Sequence, residues 1–353
     1  MSFRTISLTD RLARIAAGTP DAKALREQVL AELARALPFD AHVWLLTDPV
    51  TRVGTSPLAA IPGLSWERLP ALIKWRYLTR ITRWTDLADA GTAVASLHEA
   101  TGGDLAASAL WREELRDLGV VDTVSVVFAD RFGCWGWLDL FRYAPAKPFS
   151  ATETAVLGSI SAVVTTGLRE AQARTFVAGA VDPEGPAFLV LGPEMRIRLQ
   201  TSAAAEALHR LNPPDEPIPV VPAAAYNVAA ALIAHEQGNP VGPPWSRVHL
   251  RAGHWLTLRA ARVSSTGPDA ADIAVSIEAS TPAERLEVFA CAHGLSKREH
   301  EVLTGLSTGA DSRSLARRLA ISEHTVNDHI KAVLAKTGSP GRQVLLSRIA
   351  GTG

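Results

Sequence analysis

Apolar positions recur at helical spacing at both ends of the chain, and strand-like alternation lies between them. Residues 8–36 read as helical, with Leu25, Val29, Leu33 and Leu37 as the stripe and Pro38 as the stop. Ala41–Leu46 reads as a strand that turns at Asp48-Pro49. Thr123–Ala129 and Cys134–Phe141, joined by Asp130–Gly133, predict an antiparallel hairpin. Ser150 with Glu153 forms a capping box for a long helix whose stripe runs from Val156 through Ile160 and Val164 to Leu168. After a connector at 173–184, two strands are expected at Ala187–Leu191 and Met195–Leu199, turning at Gly192-Pro193. Helices at Thr201–Leu211 and from Ala223 to Gln237 flank a Pro-rich loop at Asn212–Pro222. Strands at Ser246–Leu250, His254–Ala260 and Ile273–Ile277 close this region. Thr281-Pro-Ala-Glu284 then opens a helix that carries Leu286 and Phe289.

The last sixty residues predict three short, sharply capped helices. Ser296 and Glu299 box the first, which carries Val302, Leu303 and Leu306 and stops at Gly309. Asp311 caps the second, with Leu315, Ala316 and Leu319 as its stripe. Ser322 caps the third, and Gly338 ends it. On a helical wheel Val326, Ile330, Val333 and Leu334 face inward on this third helix, and His324, Asn327, Asp328 and Lys331 face outward. A scaffold helix, a tight turn and a helix with one hydrogen-bonding face make the layout of a helix-turn-helix.

The runs Leu295-Ser-Lys-Arg-Glu-His-Glu-Val-Leu303, Leu315-Ala-Arg-Arg-Leu-Ala-Ile-Ser322 and His324-Thr-Val326, followed by His329 and Lys331, resemble the LuxR-type DNA-binding domain over residues 295–350. The resemblance implies that the third helix enters the major groove, with Asn327, Asp328 and Lys331 reading bases and His324, Thr325 and His329 close by. It also implies Ser322 and Lys336 near the DNA, and a fourth helix that dimerises through Val344, Leu345 and Ile349. Arg313, Arg317 and Arg318 on the scaffold helix are the expected phosphate contacts. The run Asp130–Arg142 followed by Phe149–Glu153 resembles a GAF-type input domain, over about residues 8–172. The element order of residues 183–280 is that of a PAS-like fold.

Composition changes this picture little. The chain has 353 residues and no net charge, and 47% of its residues are hydrophobic. Residues 295–350 hold nine of the 36 basic and five of the 36 acidic residues, so the basic excess lies in the helical unit. Trp66, Trp75 and Trp84 stand among basic residues, where core packing is preferred to base stacking. Cys134 and Cys291 are the only cysteines and read as buried thiols. No apolar run reaches membrane-spanning length, and the N-terminus lacks the apolar core of a signal peptide. Gly-rich phosphate loops and HExxH or GxSxG motifs are missing, and His293, His300, His324 and His329 lack partners at metal-ligand spacing.

The expectation is therefore an α+β multidomain chain. A GAF-like sensor domain (1–174), a PAS-like domain (183–280) and a linker helix (281–294) precede an all-α four-helix LuxR-type domain (295–353). It is expected to be a cytoplasmic, homodimeric transcriptional regulator, not an enzyme, that binds double-stranded DNA and has no membrane partner, no cofactor and no metal. The reading leaves room for RNA polymerase as a further partner and for a small-molecule effector of unknown identity. The rival reading is a protein-interaction scaffold or signalling adaptor with GAF/PAS-like dimerisation domains and little DNA affinity.

Overall fold

The computed structural model describes residues 3–177, 185–211, 222–250, 253–263 and 272–351. Most of the connector at 173–184 and nearly all of the Pro-rich loop at 212–222 lie outside the described residues.

The helical stretch expected at 8–36 is two helices, α1 (Phe3–Gly18) and α2 (Ala22–Ala36). Gly18-Thr-Pro20 interrupts the stretch, and Asp21 caps α2 by accepting from the backbone N–H of Lys23 and Ala24. Five strands follow: β1 (Ala41–Thr47), β2 (Gly54–Ala60), β3 (Val94–Ser96), β4 (Val120–Asp130) and β5 (Gly133–Tyr143). They pair in the order β2-β1-β5-β4-β3, entirely antiparallel. The expected hairpin is present, with Asp130 opposite Gly133. Between the strands lie α3 (Leu69–Leu78), α4 (Trp84–Asp89) and the single turn α5 (Leu97–Ala100).

Alternation along the strands sorts the side chains to two faces. Trp44, Val124, Val126, Phe128, Leu138 and Leu140 join the core under α1, α2 and the long α6 (Ala151–Ala173). The capping box of Ser150 and Glu153 opens α6 as expected. At Gly167 a Cβ would lie 2.9 Å from that of Ala16, so α6 and α1 touch there because the residue is glycine.

The opposite face of this sheet carries Leu45, Val127 and Trp137, and the next part of the chain helps to cover it. There, β6 (Ala187–Leu191) and β7 (Ile197–Gln200) are followed by α7 (Ser202–Leu211) and α8 (Ala223–Glu236). Then come β8 (Trp245–His249), β9 (Trp255–Arg262) and β10 (Ile273–Ala279), in the sheet order β7-β6-β10-β9-β8. Both sheets thus place their strands in the sequence second, first, fifth, fourth, third. The Ala-rich run forms α8, buried along most of its length. α8 packs against α3 and β2, where Tyr77 donates to Asn227 Oδ1 at 2.8 Å and accepts from Gly54 N–H at 2.9 Å. Leu45, Trp84 and Trp137 share one core with Ala225, Val228 and Leu258. The two α+β parts are therefore fused through a common core. Trp84 belongs to it, stacked on Trp137 at 4.0 Å, whereas Trp75 is half-buried and Trp66 exposed.

After β10 the chain is helical. α9 (Pro282–Ala292) leads into α10 (Lys297–Ser307), α11 (Ser312–Leu319), α12 (Glu323–Thr337) and α13 (Arg342–Ala350).

Candidate nucleic-acid interface

The helical unit is built by its caps. Ser296 and Glu299 form the box that starts α10, Asp311 Oδ1 accepts from Ser314 N–H at 2.7 Å, and Ser322 Oγ accepts from Thr325 N–H at 3.0 Å. Each side chain satisfies a backbone donor that the first turn of a helix leaves open. The bond from Ser314 also holds the Asp311 carboxyl below its usual range. Ala320 and Gly338 take left-handed conformations that end α11 and α12. Val302, Leu306, Leu315, Val326 and Ile330 form the small core between them. α10 and α11 meet at Gly305, where a Cβ would overlap Leu315 and the guanidinium of Arg318.

α12 presents its outward face to solvent. The side chains of His324, Asp328 and Lys331 are 84%, 52% and 75% exposed. Asp328 lies between the other two, 3.4 Å from His324 Nε2 and 3.5 Å from Lys331 Nζ. One hydrogen-bond acceptor is thus flanked by two nitrogen groups on an open helix face, a set that can pair with base edges. Thr325 and His329 are half-buried on the flanks, and the Thr325 hydroxyl bonds Ser322 Oγ at 2.9 Å. Arg313, Arg317 and Arg318 are exposed on α11, with Arg313 3.9 Å from Glu323.

Two expectations need correction, those for Asn327 and for the dimer residues of α13. Asn327 is half-buried, and its Oδ1 accepts from Ser312 Oγ at 2.9 Å and from Arg342 Nη2 at 3.1 Å. Its acceptor is spent on joining α12 to α11 and α13, so the side chain is not an open base reader. Lys336 stays exposed in the last turn of α12 and pairs with Glu299 at 2.6 Å. Burial would raise the Glu299 carboxyl, but bonds from Lys336 and Ser296 outweigh this and hold it below its usual range. Leu345 and Ile349 are 0% and 1% exposed within the single chain, and of the expected dimer residues only Val344 is open, at 43%. Their apolar surface is consumed by packing with α9 and the large N-terminal core.

Three arginines that the sequence reading passed over hold that junction. Arg285 of α9 is buried and donates to the carbonyls of Ile349 (2.6 Å), Arg348 (3.0 Å) and Gly253 (2.8 Å). Arg348 in turn donates to Phe176 O at 3.0 Å and Thr337 O at 2.7 Å. Phe176 stacks on Trp255 at 4.9 Å and meets Phe289 edge-on at 5.1 Å. Arg247 of β8, fully buried, pairs with buried Asp48 at 2.7 Å and reaches α9 through Glu284 O (2.7 Å) and Glu287 (2.8 Å). The sequence does hold a signal for Arg285: a lone cation on the apolar stripe of Val288, Phe289 and Ala292.

Beside this junction lies a cavity of about 890 Å3. It runs from beneath α3, round the free edge of β2, to the start of α2, and its far wall includes Arg247, Gly253 and Trp255. Among the described residues no group of three His, Cys, Asp or Glu side chains could hold a metal ion. No helix among them is long and apolar enough to cross a membrane.

Residues 293–348 match the family described as bacterial regulatory proteins, luxR family. The C-terminal unit is a LuxR-type helix-turn-helix. No curated protein matches the chain. Among solved structures, SdiA of Escherichia coli is 15% identical with a TM-score of 0.36, over 99% of this chain and 98% of that one. SdiA in complex with octanoyl-rac-glycerol is 14% identical with a TM-score of 0.32, over 100% and 97%. VqmA of Vibrio cholera, in a complex with ligand and DNA, is 16% identical with a TM-score of 0.24, over 48% and 85%.

Proposed function

We propose that this chain is a cytoplasmic, sequence-specific transcription regulator whose two α+β parts sense a small molecule and control the C-terminal reader. The observation that carries the reading is the family match at 293–348, together with a polar α12 face open to solvent. His324, Asp328 and Lys331 read base edges, and Ser322 and Thr325 meet DNA where α12 begins. Arg313, Arg317 and Arg318 contact phosphates, with His329 and Lys336 at the margins. Asn327 positions α12 rather than reading a base. The element order of the two parts supports GAF-like and PAS-like folds, and their shared core makes them one sensing body. Two readers act together as a homodimer, because a unit this short reads few base pairs alone.

The test is selection of duplexes from fragmented genomic DNA by the full chain, followed by anisotropy titration of the winners against scrambled duplexes. Enrichment of a two-fold repeated site, bound at least about a thousandfold more tightly than scrambled DNA, is the expected result. No enrichment, with equal weak binding to all duplexes, would favour a scaffold.

A further inference from the structure

We propose that the cavity beside β2 binds a small organic acid with an apolar body, and that Arg26 holds its carboxylate. The inference rests on the reading of the N-terminal body as a sensor and names the chemistry of what it senses.

The wall of the cavity has two characters. Beneath α3 it is apolar, formed by Leu45, Leu72, Leu110, Trp137 and Phe141. A cavity of about 890 Å3 lies in the usual range for small-molecule sites. At the β2 edge the wall carries Arg26, whose residue is only 3% exposed. The Arg26 guanidinium bonds three neutral carbonyl oxygens, those of Ala22 (3.1 Å), Trp44 (3.1 Å) and Ser56 (2.8 Å). Its Nη2 makes none of the described hydrogen bonds, and no carboxylate is within ion-pair distance among the described residues.

The other buried arginines of this wall are neutralised. Arg76 lies 2.8 Å from Asp139, and Arg247 lies 2.7 Å from Asp48. Asp21 and Glu27 line the same cavity and attract Arg26 from beyond ion-pair distance; Asp21 also caps α2, and Glu27 lies 3.9 Å from Lys23. Burial draws the Arg26 pKa down to about 10, which leaves it charged at neutral pH. A buried cation with no carboxylate in direct contact is costly unless an anion completes the site. A carboxylate suits a guanidinium because two parallel N–H···O bonds can form.

The charge and the apolar wall are adjacent in the chain. Trp44, whose carbonyl holds Arg26, precedes Leu45, and Ser56, whose carbonyl does the same, precedes Pro57 of the same lining. One ligand can therefore place its head at Arg26 and its body beneath α3. A neutral or cationic head leaves the guanidinium unmatched.

Titration calorimetry on the full chain tests this with three probes kept below their micellar concentrations: decanoate, decanol and decylamine. Decanoate is expected to bind one per chain, at least about tenfold more tightly than decanol, the usual worth of a charge-assisted bond, with decylamine weaker still. Arg26→Gln should bring decanoate down to the level of decanol, and Arg26→Lys should keep part of the difference. Equal binding of decanoate and decanol to the unaltered protein, or binding of neither, overturns the proposal without reference to any variant. DNA binding, read separately by anisotropy, tells the two failures apart. A protein that binds DNA but no acid refutes this site alone, whereas loss of DNA binding refutes the regulator.

Discussion

Asn327 and Lys331 look alike on paper, as polar residues of one helix, yet the structure gives them different surroundings. Asn327 stands about 100° round the helix from buried Val326, on the flank rather than the outer face. The wheel, which grouped it with the outward residues, does not show that Ser312 and Arg342 converge on the amide. Lys331→Ala is expected to weaken binding to the selected site by about 1–3 kcal/mol and to change scrambled-duplex binding less. Asn327→Ala should instead lower the thermal stability of the reader by about 1 kcal/mol, the usual worth of such a bond, and weaken both duplexes alike. Anisotropy and calorimetry on the two variants separate these roles, and equal profiles for both would contradict the assignment. Two other residues predict the pH response. Burial, with Arg285 nearby, pushes His249 down to about 4, and burial, with Arg348 nearby, does the same to His293. The unfolded chain takes up these protons near 6.5 while the folded chain resists them. Their stabilisation is therefore complete above about 6.5 and declines as pH falls toward about 4. The urea midpoint should drop between pH 7 and pH 5, and changing both histidines to glutamine should flatten that drop.

At the scale of elements the sequence was readable wherever the signal is local. Ser150, Thr281, Ser296, Asp311 and Ser322 all cap the helices they were expected to cap. The hairpin of β4 and β5 follows from alternation and an Asp-Arg-Phe-Gly turn. Contacts between distant segments were not readable. Leu345 and Ile349 carry the spacing of a surface stripe, and nothing local reveals that α9 covers it. Their burial gives a direct prediction. Leu345→Ala should destabilise the folded chain by about 2–5 kcal/mol, as emptied core positions do. A dimer-surface residue would lower the association constant and leave unfolding of the dilute protein unchanged, and chemical denaturation at low and high concentration separates the two. Arg285→Met should free the end of α13, seen as faster amide hydrogen exchange at residues 345–350 with exchange in β4 and β5 unchanged. Unchanged protection of α13 would remove Arg285 from the junction.

For the whole molecule, three parts that read as separate stretches are joined by a few buried side chains. Tyr77 and Asn227 join the first sheet to α8, and Asp48 with Arg247 joins both α+β parts to α9. Because Arg247 and Gly253 line the cavity and also hold α9 or Arg285, an occupant of the cavity touches the supports of the reader. A ligand shifts the reader only as far as it prefers one arrangement of these supports over another. The cavity itself was invisible in the sequence, because room depends on how three layers meet. The most direct test of the account is the salt dependence of binding by the full chain to its selected duplex and to a scrambled one. The account predicts that affinity for both falls linearly on logarithmic axes as salt rises, by counter-ion release from phosphates. It also predicts that the selected duplex stays tighter throughout and that Lys331→Ala narrows the gap. Binding insensitive to salt, or a gap that Lys331→Ala leaves unchanged, would contradict the claim that the face of α12 reads DNA.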